Sequence, residues 1–140
     1  MSKSRYEPLV KLKKKGLDTA ERALIGANNA LSSASDKLNR AYEELSHMSL
    51  PAHGSVGEFT HATAMIHAQH QTIEQCQQTL QSAKQKQHQM RERFQAAMID
   101  YEKFKYLEVQ EMNAQVKLLK TQEAKMLDEI GTMTYKKEAL

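Results

Sequence analysis

The sequence is short of everything that makes a chain turn. Its 140 residues include 5 Gly, 2 Pro, 3 Phe, 5 Tyr and no Trp. That is too few turn formers for a barrel or sandwich, whose short strands are punctuated by turn signals at regular spacing. A single cysteine, Cys76, rules out an intramolecular disulfide. Apolar runs never exceed a few residues, which excludes a spanning helix, and the start MSKSRYEPLVKLKKK has neither the apolar stretch nor the cleavage site of a signal peptide. A cytoplasmic location is the expectation. The net charge of +3 is too small for a chain whose main partner is nucleic acid. There is no glycine-rich phosphate loop and no nucleophile elbow, so neither an enzyme nor a cofactor is expected.

What is present is a 40% hydrophobic share in which Ala, Leu and Met stand among many Gln, Lys and Glu. This is the bias of long helices with a narrow apolar stripe. The one convincing turn is Ser49-Leu50-Pro51-Ala52-His53-Gly54-Ser55-Val56-Gly57, where a proline and two glycines fall close together. It separates a predicted helix over about 9–48 from a second over about 59–138, with the turn at about 49–58 and Pro8 suited to the first helical turn. The whole chain, 1–140, reads as one coiled-coil domain.

Alternate steps of three and four from Leu17 meet Ala20, Leu24, Ala27, Leu31, Ala34, Leu38, Ala41, Leu45 and Met48. The same step from Phe59 meets Ala62, Ile66, Gln69, Ile73, Cys76, Leu80, Ala83, Gln87, Met90, Phe94, Ala97, Tyr101 and Phe104. Both are heptad seams. After Phe104 the apolar seam slips by one residue to Val109, Met112, Val116, Leu119, Glu123, Met126, Ile130 and Met133, as at a skip in a coiled coil. Leu followed by Ala is the wrong seam for a parallel dimer, whereas folding back sets small residues against large ones. The predicted fold is therefore an all-α antiparallel two-helix hairpin. Its paired residue numbers should sum to about 107, and a shift of seven would preserve most of the pairing.

The second helix is about twice as long as the first, roughly 120 Å against 60 Å at about 1.5 Å per residue. Residues from about 100 to 140 are thus expected to overhang, exposing a methionine-rich seam that suits a partner or a second copy of the chain. Residues 1–16 hold Lys3, Arg5, Lys11, Lys13, Lys14 and Lys15 against Glu7 alone. This basic end is too short for a basic-zipper reader of DNA and is read as facing solvent or an acidic protein surface. The histidines His61, His67 and His70 fall at helical spacing, and Glu58-Phe59-Thr60-His61 has the Glu-x-x-His spacing of di-iron bundles. Those bundles need that motif twice with two further glutamates, so solvated histidines and no metal are expected.

Several groups together resemble the FliJ family of the bacterial flagellar type III export apparatus. They are the basic start running into KLKKKGLDTAERAL, Ile66 with the Gln69 to Ile73 stretch, and Arg91-Glu92-Arg93-Phe94-Gln95-Ala96-Ala97. Further on come Tyr101-Glu102-Lys103-Phe104-Lys105-Tyr106-Leu107-Glu108 and Gln122-Glu123-Ala124-Lys125-Met126-Leu127-Asp128-Glu129-Ile130. The YscO family of injectisomes is similar in form. The resemblance implies a hairpin like the gamma subunit of rotary ATP synthases, monomeric when free. It implies binding in the centre of the hexameric export ATPase FliI, promoting ring assembly and activity, and contacts with FliH and with substrate chaperones. It also implies contact with the cytoplasmic domain of the export gate protein FlhA, hence peripheral association with the membrane at the flagellar base. In the family the gate contact is attributed to exposed residues near the hairpin turn, at positions similar to Leu38, Tyr42 and Leu45 on the first helix and Phe59, Ile66 and His70 on the second. The ATPase contact would fall on Lys11, Lys13, Lys14, Met112, Val116, Leu119, Met126 and Ile130. The readings that remain beside it are a self-associating coiled coil and a basic helical nucleic-acid binder.

Overall fold

The computed structural model describes residues 4–139, with side chains through residue 137; Lys3 of the basic run lies outside the described residues. It contains two helices, α1 (Glu7–Ser46) and α2 (Val56–Ala139), which form an all-α antiparallel hairpin. Both begin two to three residues before the sequence-predicted starts, because serines upstream cap them. The Ser4 hydroxyl accepts from the Tyr6 N–H at 3.1 Å and the Ser4 carbonyl from the Glu7 N–H at 3.2 Å. The Ser55 hydroxyl accepts from the Glu58 N–H at 3.2 Å, an N-cap satisfying a first-turn donor that has no intrahelical partner. At the end of α1, His47 and Met48 donate to carbonyls only three residues back, Glu44 and Leu45. This tightening closes the helix before Pro51.

The described residues fall into two compact units, one of residues 18–96 and one combining residues 4–17 with 97–139. In the first, Gln69 Nε2 donates to the Ala41 carbonyl at 2.8 Å, Gln77 Nε2 to the Tyr42 hydroxyl at 2.6 Å, and Gln87 Nε2 to Asn28 Oδ1 at 3.0 Å. The numbers of these partners sum to between 110 and 119. The heptad-compatible register in that range has sums of about 114, one heptad from the expected 107. It levels Leu24 with Met90, Leu31 with Ala83, Ala34 with Leu80, Leu38 with Cys76, Ala41 with Ile73 and Leu45 with Gln69. Small still faces large along most of the seam, and the shift gains a hydrogen-bonded polar layer at Gln69. Ala27, Ala34, Ala41, Ile73 and Met90 are buried. Cys76 is half-buried on the same stripe and behaves there as a small hydrophobe. Because Ser46 comes level with residue 68, the first three turns of α2 have no helix opposite. The connecting loop accompanies them, with Met48 and Pro51 half-buried.

In the second unit the same rule holds. Lys13 Nζ pairs with Asp100 Oδ2 at 2.9 Å and lies 5.4 Å from the Phe104 ring centre, and Lys14 lies 5.6 Å from that of Tyr101. The Ser4 hydroxyl meets Glu111 Oε2 at 3.0 Å, and Arg5 pairs with the same oxygen at 3.8 Å. Val10 and Leu17 are the buried apolar residues of this stretch. Two expectations are corrected here. The overhang does not begin near residue 100, because residues 4–17 cover α2 as far as Glu111; the uniformly exposed stretch is residues 116–137. Nor does the seam facing α1 slip after Phe104. The half-buried positions continue through Glu108, Glu111 and Gln115 at unbroken three-four spacing, although these side chains are polar.

Candidate functional site

The slip seen in the sequence is real, but it belongs to a different face of α2. Moving one residue along a helix turns about 100° around its axis. A seam that stays at Glu108, Glu111 and Gln115 therefore leaves Val109, Met112 and Val116 on the neighbouring face. All three are exposed, and so are Leu119, Met126, Ile130 and Met133 beyond them, at 43 to 69% of their full accessibility. The polar stripe is covered by the start of α1, and the apolar stripe is left open. Leu118, Leu127 and Tyr135 are exposed on the same stretch. The heptad reading passed over them because they lie off the three-four stripe.

Five of these seven seam residues are Leu, Ile or Met, and a flexible thioether adapts to an uneven partner. Charges of both signs flank it, Lys117, Lys120 and Lys125 with Asp128 and Glu129, and Glu123 lies on the stripe itself. A run of exposed large apolar side chains of this length is the mark of a surface that another protein covers.

The basic residues expected at this site are distributed differently. Lys11 is exposed and pairs with Glu7 at 3.4 Å on its own helix. Lys13 turns inward, with about a third of its side chain exposed, and is engaged by Asp100 and Phe104. Lys14 leans over Tyr101. Lys13 is thus a structural clasp as well as a surface charge. The signal for this was in the sequence: stepping back from Leu17 by four and three meets Lys13 and Val10, so Lys13 is a seam residue whose aliphatic stem is covered while its ammonium reaches a carboxylate.

The six gate candidates divide into two sets. Leu38, Leu45 and Ile66 are half-buried seam residues, correcting the expectation that all six stand free near the turn. Tyr42, Phe59 and His70 are exposed. Tyr42 is steadied by the hydrogen bond from Gln77. Phe59 lines a shallow groove with Val56, Thr60, Thr63 and His67 on the turns of α2 that no helix opposes.

His61, His67 and His70 are all exposed, and among the described residues no group of three or more His, Cys, Asp or Glu side chains converges as metal ligands would. No helix of the described residues is long and apolar enough to cross a membrane. The chain matches the family model described as flagellar FliJ protein over residues 2–140. No curated protein and no solved structure matches it.

Proposed function

The chain belongs to the FliJ family and is a component of the flagellar type III export apparatus, and from that premise we propose that it acts as a stalk for the export ATPase. The reading rests above all on the open apolar stripe of α2. Residues 116–137 are long enough to reach about 33 Å at 1.5 Å per residue, and every described side chain on them is exposed. Inserted in the hole of the hexameric ATPase FliI, this stretch presents Val116, Leu119, Met126 and Ile130 to the subunits, with Met112 one turn before it. Lys11 and Lys14, on the part of α1 that lies along α2 near Tyr101, add charged contacts behind this stretch.

A rod that binds the assembled ring better than free subunits stabilises the ring, and one that binds one subunit conformation better biases the subunits toward it. The mechanism is differential binding alone. The stalk adds no catalytic group, no cofactor and no metal. In the same reading Tyr42, Phe59 and His70 form the surface offered to the cytoplasmic domain of FlhA, which brings the protein to the membrane without inserting it. FliH and the substrate chaperones complete the set of partners.

The test is ATP hydrolysis by the cognate export ATPase with the full chain, with a chain ending at Gln115, and with Leu119→Lys/Ile130→Lys. The expected result is stimulation by the full chain and its loss in both altered forms. Equal stimulation by all three would remove the stripe from the mechanism, and none by the full chain would remove the mechanism itself.

A further inference from the structure

The end of the hairpin nearest the turn is charged unlike the rest of the chain. Ala41 comes level with Ile73, and residues 41–73 between them contain no Lys, Arg or Asp, although the whole chain has 20 Lys and Arg. They hold three glutamates, Glu43, Glu44 and Glu58, and five of the six histidines, His47, His53, His61, His67 and His70. All five histidines are exposed. Histidine is the side chain that ordinarily changes charge between about pH 5 and 8. The formal charge of this tip is therefore −3 with the histidines neutral and +2 with all five protonated. No other segment of the chain can reverse its sign in this way, because Lys and Arg are interspersed through the rest.

We propose that the tip receives a basic protein surface near neutral pH and releases it as the histidines take up protons. The seat is the face of α2 that no helix opposes, where Val56, Phe59, Thr63, Ala64 and His67 line the shallow groove. Leu50 and Met65 are exposed on the same end. An apolar anchor fits such a groove, and the charges around it decide which partner may bring one. Near neutral pH a partner rimmed with Lys and Arg meets carboxylates and no like charge, whereas an acidic partner is repelled. Protonation reverses both relations.

The histidines stand close to the carboxylates whose effect they cancel. His47 follows Glu43 and Glu44 by four and three residues, and His61 follows Glu58 by three, spacings at which side chains on a helical turn meet. The Glu58 carboxylate lies against Gly54, next in sequence to His53. Across the seam His67 comes level with His47, and His70 with Glu44, while Tyr42 stands on the flank that His70 shares. The nearest charges beyond the tip are Glu74, one turn after His70, and Arg40, which comes level with Glu74 but on the opposite flank. The inference deepens the proposed contact of this end with the cytoplasmic domain of FlhA and rests on that reading for the partner, though not for the reversal of charge.

The experiment titrates two probes separately against the full chain at about pH 7.5 and about pH 5.5, at one ionic strength. One is the cytoplasmic domain of FlhA. The other is an amphipathic peptide of lysine and leucine, whose charge is the same at both pH values, so that any change belongs to the chain. Beside the natural protein stand Phe59→Ala and the combined variant His47→Gln/His53→Gln/His61→Gln/His67→Gln/His70→Gln. Near neutral pH both probes are expected to bind and to slow hydrogen exchange in residues 50–67, and Phe59→Ala to weaken them. At the lower pH binding should fall at least about tenfold, with helix content by circular dichroism unchanged, while the combined variant keeps its affinity. Binding of either probe that is equal or tighter at the lower pH overturns the proposal. So does a fall that the combined variant shares, a loss of helix at the lower pH, or a peptide that leaves residues 50–67 unprotected. An FlhA domain that binds at neither pH, beside a peptide that behaves as expected, removes the gate reading and supports the pH-dependent surface.

Discussion

Gln69 is the buried polar residue of the hairpin seam, 8% exposed, and replacing it separates the forces that set stability from those that set register. Its amide nitrogen donates to the Ala41 carbonyl at 2.8 Å and to Glu44 Oε2 at 3.3 Å. Neither acceptor is stranded when the donor is removed. The Ala41 carbonyl lies within α1 and keeps its helical bond, and Glu44 is exposed to water. Gln69→Leu thus loses about 0.5–1.5 kcal/mol of net hydrogen bonding against about 1.5–3 kcal/mol gained by burying a leucine. The expected variant is more stable by about 1 kcal/mol, whereas Gln69→Ala, which loses the bond and leaves a void, is less stable than the natural protein. The order by urea denaturation should be Leu, then Gln, then Ala.

Register is expected to respond in the opposite way, because a polar seam residue fixes alignment at a cost in stability. Cys76 reports on it. Leu38→Cys forms a disulfide with Cys76 in the register of about 114, and Leu31→Cys does so in the register one heptad away. In the natural background only Leu38→Cys should cross-link efficiently; with Gln69→Leu added, the Leu31→Cys product should increase. A Gln69→Leu protein destabilised by more than about 1 kcal/mol would refute the accounting, and an unchanged cross-linking ratio would refute the role of Gln69 in register.

Three further outcomes follow from the packing and the clasp. Met90→Ala and Ile73→Ala, both at buried seam positions, should each cost about 2–4 kcal/mol by chemical denaturation, the usual range for deleting a buried aliphatic side chain. Lys13→Glu, which sets like charges together at Asp100, should cost no more than about 1 kcal/mol because the pair is partly solvated; hydrogen exchange should accelerate in residues 4–17 while residues 24–41 keep their protection. A chain ending at Gln115 should unfold at nearly the same denaturant concentration as the full chain, since the residues removed are exposed throughout their described length.

The hairpin was legible because helical periodicity and a single cluster of turn residues survive in the sequence without help from tertiary context. Register was not, because a heptad repeat offers the same small-against-large pairing every seven residues. Polar cross-helix contacts, the hydrogen bonds of Gln69, Gln77 and Gln87 together with those of Lys13 and Ser4, distinguish one alignment from the next, and a polar side chain's choice of partner does not show in its spacing. The extent of the overhang failed for a related reason. Lys13, Glu108, Glu111 and Gln115 are polar, so a search for apolar positions ends the seam before the structure does. The apolar stripe at Val109, Met112 and Val116 was correctly identified as unpartnered, but it lies beside the covered stripe and does not continue it. Of the gate candidates, Leu38, Leu45 and Ile66 already stand on the heptad seams in the sequence, so their half-burial was legible there, whereas the family positions alone did not show it.

The cross-helix contacts also imply an order of assembly. Gln69 and Ala41 are separated by 28 residues of chain, whereas Lys13 and Asp100 are separated by 87 and Ser4 and Glu111 by 107. Forming the longest of these first means closing a long flexible loop, while adding them one layer at a time from the turn closes only a few residues at each step. The hairpin is therefore expected to zip from residues 41–73 outward and to finish with the ionic clasp of residues 4–17 on α2. Synthesis from the N-terminus runs against that order, because the partners of residues 4–17 are made last. Until Glu111 has emerged, the basic segment has no seam to join, and it spends that interval available to whatever acidic surface the cell brings near it.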